Sequence, residues 1–141
     1  MVAVKPVGRL VAGAAAVVAV LAGCGTDSAE EEPVDLPSLQ QKVRALAVDT
    51  CHTDPRGQAP RLCEKYVTQI ANAARTVSAA GRINHESLRD PGRQMTRAVR
   101  EFNQGRCDNQ RPKSTSACYR ALETIAQAVK DVQAELEEIV Q

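Results

Sequence analysis

The sequence predicts an all-α fold, a small four-helix up-and-down bundle built from two disulfide-stapled helical hairpins. Apolar residues recur with a helical period in four segments, and no segment alternates with a period of two. A unit of helix, cysteine, polar loop, cysteine and helix occurs twice. Only 2% of the residues are aromatic, and the apolar residues are mostly alanine, valine and leucine, which favours closely packed helices. A chain of 141 residues suits one domain.

The first two helices are predicted from apolar spacing and from residues that start or end a helix. Asp35 and Pro37 are placed to begin the first helix. Its apolar positions are Leu39, Val43, Leu46 and Ala47. The apolar positions of the second helix are Leu62, Tyr66, Ile70, Ala73, Val77 and Ala80. Gly81 follows this pattern at once, and we expect it to end the helix.

The third and fourth helices follow from the same criteria. Asp90 and Pro91 open the third helix, and Gly105 follows its end. The apolar positions of the third helix are Met95, Ala98, Val99 and Phe102. The fourth helix is the longest and is predicted to begin near Ser114 or Thr115. Its apolar positions are Cys118, Leu122, Ile125, Val129, Val132, Leu136 and Ile139.

The N-terminal segment has the composition of an export signal. Lys5 and Arg9 form a positive region, and Leu10–Gly23 is an uncharged run shorter than the roughly 20 apolar residues of a membrane span. The run ends in Leu-Ala-Gly-Cys24, which resembles the lipobox of bacterial lipoproteins. The resemblance covers this segment only. It implies that a lipoprotein signal peptide, residues 1–23, is cleaved before Cys24, and that the Cys24 thiol carries diacylglycerol with acyl chains such as palmitate.

Residues 24–35 are predicted to be the lipidated cysteine and a flexible acidic linker. Gly25–Asp35 reads GTDSAEEEPVD and carries five acids and no base, and such a segment buries too little apolar surface to fold. Two acyl chains would hold the protein stably in the membrane. The acids would be repelled by an anionic lipid surface, so the linker would hold the helical bundle domain, residues 36–141, away from it. We expect a lipid-anchored protein on the extracytoplasmic face of the cell membrane.

The two halves of the domain share a pattern that indicates an internal duplication. In the first half the pattern consists of Val43, Arg44, Leu46, Cys51, Cys63, Ile70, Ala71, Ala73, Val77 and Ala79. In the second half it consists of Val99, Arg100, Phe102, Cys107, Cys118, Ile125, Ala126, Ala128, Val132 and Ala134. The spacings agree apart from one extra residue between the first two cysteines. Each half is therefore predicted to be one stapled helical hairpin.

Four cysteines remain besides Cys24, and an even number in an exported chain predicts two disulfides. Three pairings are possible in principle, and the repeat favours Cys51–Cys63 and Cys107–Cys118. Neither pair has the C-x-x-C spacing of a zinc or redox site. We expect structural disulfides and no metal site.

The sequence contains no recognisable catalytic motif. It lacks G-x-S-x-G, H-E-x-x-H and a phosphate-cradling glycine loop. His52 lies in a polar loop, where we expect it to be solvated. His85 lies near a predicted helix start that Asn84 would cap, and Ser87 is two residues away, a spacing that does not face it on a helix. We predict that the protein is not an enzyme and needs no cofactor.

Arginines form the best organised charged feature of the chain. The domain from Leu36 onward has sixteen basic and twelve acidic residues, a net charge of +4, whereas the linker carries −5. Four arginines of the third helix are spaced to fall in one narrow sector opposite its apolar positions. They are Arg89, Arg93, Arg97 and Arg100, named here the arginine ridge. A solvated helix face is one interpretation, and a binding ridge for lipid headgroups, an anionic wall polymer or an acidic partner is the other.

These observations favour a non-enzymatic envelope lipoprotein that acts as an interaction or adaptor domain. Its expected partners are the membrane, through the lipid anchor, and an envelope protein or an anionic wall or lipid component. Nucleic acid is not expected outside the cell. The alternative is a carrier or sensor that holds a small hydrophobic ligand between its helices, although the many alanines favour close helix packing and a small cavity. An envelope hydrolase is a third class, for which the chain shows no catalytic constellation.

Overall fold

The computed structural model describes residues 33–141, and every regular element in that range is helical. The five α-helices are α1 (Leu36–Ala47), α2 (Thr50–Thr53), α3 (Glu64–Ile83), α4 (Arg89–Gln104) and α5 (Thr115–Ile139). Two short 3-10 turns, Pro60–Cys63 and Glu86–Leu88, precede α3 and α4. The all-helical prediction is confirmed for this part of the chain.

Helices α1 and α5 begin where short polar side chains cap them. The carboxylate of Asp35 accepts a hydrogen bond from the backbone N–H of Ser38 at the start of α1. The hydroxyl of Ser114 accepts one from the N–H of Ala117 at the start of α5. Such caps satisfy N–H groups that have no partner within the helix. The predicted starts of the first and fourth helices are therefore confirmed.

Helix α3 departs from prediction at both ends. Leu62 was expected in the apolar stripe, but it lies in the 3-10 turn before the helix and its residue is 58% exposed. Gly81 was expected to end the helix, yet α3 continues to Ile83 and Gly81 is buried. A Cβ atom at Gly81 would lie 2.9 Å from the backbone nitrogen of Arg89. This glycine therefore serves a close approach of two helices rather than a helix end.

Asn84 was expected to cap the next helix, and this prediction is wrong. Asn84 lies at the C-terminus of α3, where its backbone N–H donates to the carbonyl of Ala80. The following 3-10 turn begins after His85 and has no side-chain cap. Because α3 is longer than predicted, Asn84 caps its C-terminus and is not available to start the next helix.

The apolar stripes of the helices meet in one core. Helix α4 packs against α3 and α5, and α1 packs against α5 and α3. The predicted stripes are buried, apart from Leu62, which is exposed, and Ala47 and Ile139, which are partly buried. The largest side chains with almost no exposure are Phe102, Ile70, Leu88, Met95, Leu122, Ile125 and Leu136. Each such burial contributes roughly 1.5–3 kcal/mol to folding.

Both disulfides are formed, in the pairing that the repeat favours. Cys51 in α2 is bonded to Cys63 at the start of α3, and their Cα atoms are 5.7 Å apart. Cys107 after α4 is bonded to Cys118 in α5, with Cα atoms 5.5 Å apart. Arg106 adopts a left-handed conformation, with φ of 55°, between the end of α4 and Cys107. The second disulfide thus joins the end of α4 to the start of α5, whereas the first joins the short helix α2 to the start of α3.

The short helix α2 and the position of His52 were not predicted. Asp49 caps α2 by accepting a hydrogen bond from the N–H of Cys51. The helix carries His52 inward, where its residue is only 6% exposed. The expectation that His52 is solvated is therefore wrong, because the Cys51–Cys63 disulfide draws its segment onto the core.

Several predictions concern residues outside the described range. The signal peptide, residues 1–23, the lipidation site Cys24 and the linker as far as residue 32 all lie there. Within residues 33–141, no helix has the length and apolar character needed to cross a bilayer.

Candidate functional site

The arginine ridge lies on the solvent face of α4. Arg89, Arg93, Arg97 and Arg100 are all exposed. The opposite face of the helix buries Met95, Ala98, Val99 and Phe102. This division follows from the helical period, since residues three or four apart share a face. The ridge is therefore held on a helix whose other side is fixed in the core.

Helix α3 turns the ridge into one wall of a groove. A surface concavity of about 480 Å³ lies along α3 and α4. It is lined by Ser78, Arg82, Arg89, Arg93, Thr96, Arg97 and Arg100, and we name it the arginine groove. The four ridge arginines thus lie together with a fifth arginine from another helix. A concavity of this size is within the usual range for a ligand site.

Small residues between α3 and α4 allow the two helices to approach closely beside the groove. A Cβ atom at Gly92 would lie 3.0 Å from Cγ1 of Val77 and 3.2 Å from Oγ of Ser78. Gly81 and the start of α4 are similarly close. Such close packing resists deformation, so the backbone that carries the arginines is held firmly.

The arginines of the ridge differ in whether a neighbouring acid already neutralises their charge. Arg89 forms a salt bridge of 3.0 Å with Glu86, and Arg93 forms one with Asp90. Among residues 33–141, Arg97 and Arg100 have no carboxylate partner. The two C-terminal arginines of the ridge are therefore the ones that an incoming anion meets without displacing an internal acid.

A second concavity adjoins the other side of the ridge. It has a volume of about 390 Å³ and is lined by Asp90, Arg93, Gln94, Arg97, Ala98, Glu101 and Thr124. Arg93 and Arg97 line both concavities, but here they are accompanied by two acids. The arginine groove is the more positive of the two, and it is the candidate site.

The four ridge arginines were predicted from the sequence, whereas Arg82, Ser78 and Thr96 were not. Ser78 and Arg82 are four residues apart on α3, so they share a face of that helix. This spacing was readable in the sequence. Their position beside the ridge was not, because it depends on how α3 and α4 pack.

The groove has the chemistry of an anion-binding surface. Guanidinium groups present forked N–H donors that match phosphate and carboxylate oxygens. The hydroxyl of Thr96 donates to the carbonyl of Gly92 at 2.9 Å and is thereby engaged within its own helix. No group of three His, Cys, Asp or Glu side chains in the described range could hold a metal ion. Comparison of the chain with protein-family models, with curated proteins and with solved structures finds no match.

Proposed function

We propose that this chain is a lipid-anchored lipoprotein of the extracytoplasmic membrane face, with a non-catalytic domain that binds an anionic component of the cell envelope. The observation that carries the binding proposal is the arginine groove, where five arginines from two helices line one concavity. The anchor rests on the Leu-Ala-Gly-Cys24 motif and the signal-like segment before it. Together they describe an adaptor between the membrane and a second, negatively charged layer.

The stapled core supports this proposal. Two disulfides suit a small domain in an oxidising compartment outside the cytoplasm. We also propose that the two stapled hairpins form the up-and-down bundle, since each disulfide closes the connection between two consecutive long helices, from α1 to α3 through the short α2 and from α4 to α5. A stapled bundle of this kind would present the groove as a binding surface.

The alternative of a carrier for a small hydrophobic ligand receives less support. The arginine groove is lined by arginine, serine and threonine, and an apolar ligand would gain little by displacing water from such side chains. Binding sites for apolar ligands are lined mainly by hydrophobic and aromatic residues. We therefore assign the groove to a charged ligand.

The test of the anchor is the intact mass of the full chain after expression in a bacterial host and extraction in mild detergent. We expect a mass that begins at Cys24 and includes diacylglycerol, and that gains four hydrogens on reduction of the two disulfides. A mass that begins at Met1 would contradict the lipoprotein assignment.

The test of binding is retention in the isolated envelope after detergent has dissolved the membrane. We expect wild-type protein to stay with the insoluble anionic material and the Arg97→Glu, Arg100→Glu double variant to be released. The control carries Arg61→Glu and Arg120→Glu, which change the net charge equally at exposed arginines outside the groove. Equal retention of both double variants would contradict a binding role for the groove.

A further inference from the structure

We infer that the ligand of the arginine groove is a linear polymer of phosphate groups, bound first at Arg97 and Arg100. This inference rests on the proposed anion-binding function and specifies its ligand class. It concerns a polymer outside the bilayer, as distinct from lipid headgroups and from an acidic protein. Four observations lead to it: the length of the groove, its lining, its concave shape together with the acidic linker, and the acids already paired with two of its arginines.

The length of the groove favours a ligand with several charges. Arg89 and Arg100 are eleven residues apart on α4, which places their Cα atoms about 16 Å apart along the helix axis at ~1.5 Å per residue. Successive arginines of the ridge are separated along the axis by about 6, 6 and 4.5 Å. A single small anion would contact one or two of these arginines. A polymer with regularly spaced negative charges can contact all of them.

The lining of the groove disfavours a protein partner. Stable protein interfaces have an apolar core that excludes water around a few anchor residues. The side chains that line this groove are arginines and hydroxyl residues. Polyanions need no apolar contacts, because neutralising their charges releases condensed counterions and supplies the binding free energy. The lining therefore fits a polyelectrolyte better than an acidic protein surface.

The concave shape and the linker disfavour a lipid surface. A planar array of headgroups reaches exposed side chains on a convex face more easily than a groove that two helices line. The linker carries five acids and no base, and an anionic membrane would repel it. A chain-like ligand that extends away from the bilayer can enter the groove, and it does not require the acidic linker to lie against an anionic membrane.

The acids paired with two of the groove arginines favour phosphate over carboxylate. Arg89 and Arg93 are already paired with Glu86 and Asp90, so a carboxylate ligand would replace one carboxylate by another with little gain. A phosphodiester offers two non-bridging oxygens that neighbouring guanidinium groups can share. We therefore expect Arg97 and Arg100 to bind first, and Glu86 and Asp90 to limit affinity at the other end.

The experiment uses the full chain in non-ionic detergent and titrates it with long-chain inorganic polyphosphate, followed by calorimetry. Polyglutamate of similar charge and detergent micelles doped with an anionic phospholipid are the comparison probes, and micelles doped with a zwitterionic phospholipid correct for insertion of the lipid anchor. We expect polyphosphate to bind most tightly. The Arg97→Gln, Arg100→Gln variant should lose at least about tenfold in affinity. The Arg61→Gln, Arg120→Gln control should stay within about twofold of wild type.

Removing the acids that pair with Arg89 and Arg93 should raise the affinity for polyphosphate instead of lowering it. This change tests the same proposal independently. The Glu86→Gln, Asp90→Asn variant should bind polyphosphate about threefold or more tightly, because Arg89 and Arg93 lose their competing partners. Between about 50 and about 200 mM salt, the slope of log K against log salt should be shallower by about 1.4 in the Arg97→Gln, Arg100→Gln variant, since two contacts are lost at ~0.7 each. Circular dichroism of each variant checks that its helices are intact.

The outcomes separate this inference from the proposed function. Equal affinity for polyglutamate would overturn the phosphate assignment and leave anion binding in place. Preferential binding to the anionic micelles over the zwitterionic ones would overturn the polymer as the source of the phosphate. No binding to any of the three probes by a folded protein would overturn both the inference and the anion-binding function.

Discussion

The Nδ1 atom of His52 lies 3.2 Å from the hydroxyl oxygen of Tyr66 in the interior of the domain. The two rings meet edge to face, with centroids 6.4 Å apart and an interplanar angle of 62°. His52 is 6% exposed and Tyr66 is 2% exposed. This contact fixes α2 to α3 beside the Cys51–Cys63 disulfide, and it makes the stability of the domain sensitive to protonation of one imidazole.

We expect the domain to be less stable at about pH 5 than at about pH 7.5. Burial lowers the pKa of His52, with a further lowering from Lys130 and an opposing effect from Asp49. The unfolded chain, with an ordinary histidine pKa of about 6.5, therefore binds a proton that the folded chain resists. The stabilising effect of the neutral imidazole is complete above that pH and is lost as the pH falls from it towards the lowered pKa. One such group changes the free energy of unfolding by at most ~1.4 kcal/mol per pH unit.

Urea unfolding across this pH range measures the effect. The His52→Gln variant keeps a side chain that can hydrogen bond to Tyr66, and it should show a weaker pH dependence than wild type. The His85→Gln variant is the matched control and should retain the wild-type dependence. If His52→Gln and wild type lose stability in parallel on acidification, His52 is not the responsible group.

Alanine substitutions at the two interhelical glycines, Gly81 and Gly92, should destabilise the domain to different extents. A Cβ atom at Gly81 would lie 2.9 Å from the backbone nitrogen and 3.0 Å from the Cα of Arg89, so the Gly81→Ala variant must move backbone. We expect it to lose about 1–3 kcal/mol of unfolding free energy. Gly92→Ala should lose less, because its two nearest contacts, at 3.0 and 3.2 Å, are side-chain atoms of Val77 and Ser78, and alanine favours a helix by up to ~1 kcal/mol.

Thermal and urea unfolding of both glycine variants test this order. Thr68→Ala, at an exposed position of α3, is the control and should be neutral or slightly stabilising. A Gly81→Ala variant as stable as wild type would mean that α3 and α4 approach less closely than described.

Each disulfide should contribute about 3 kcal/mol to stability. The bonded cysteines are twelve residues apart in the first disulfide and eleven apart in the second, so the two closed loops constrain the unfolded chain to a similar extent. The Cys51→Ala, Cys63→Ala and Cys107→Ala, Cys118→Ala double variants should therefore be destabilised by similar amounts. Reduction of wild type removes both constraints, a large part of the 5–15 kcal/mol typical of a domain.

Urea unfolding with and without a reductant measures these contributions. Cys24→Ser is the control, because we propose that Cys24 carries lipid and takes no part in a disulfide, and its unfolding midpoint should equal that of wild type. A destabilisation confined to one of the two double variants would show that native contacts, rather than loop closure, set the contribution of each disulfide.

The loop after α2 should be loosened locally by loss of Arg56. The guanidinium of Arg56 donates to both carboxylate oxygens of Glu123 in α5 and lies 5.6 Å from the centroid of the Tyr119 ring. These side chains are substantially exposed, so the pair should add little to global stability. We expect Arg56→Ala to speed amide exchange in residues 54–59 while the unfolding midpoint stays nearly constant. Exchange that speeds equally throughout α5 would instead indicate a global role.

The starts of α1 and α5 and most of the buried stripes were predictable because they depend on local interactions. Asp35 and Ser114 cap N–H groups three residues away in the chain, and the stripes follow from the period of a single helix. The disulfide pairing was favoured by a repeat that the cysteines share with their flanking helices. These features do not require knowledge of which helices are neighbours.

Features that join distant segments were predicted wrongly or missed. Gly81 has the sequence context of a helix end, yet the approach of Arg89 makes it an interior residue of α3. His52 lies among polar residues in the chain, yet the adjacent disulfide and the Tyr66 hydroxyl hold it inside. In both cases a contact across the fold outweighs the preference of the local sequence.

The candidate site likewise has one part that follows from a single helix and another part that depends on helix packing. The sequence by itself determined that Arg89, Arg93, Arg97 and Arg100 share one face of a helix, because the helical period alone requires it. The tertiary structure decided that Ser78 and Arg82 of α3 lie beside that face and that the ridge is therefore one wall of a groove. That decision depends on the glycines and small side chains that let α3 and α4 approach, and side-chain volumes at a helix contact act only once the two helices are packed together.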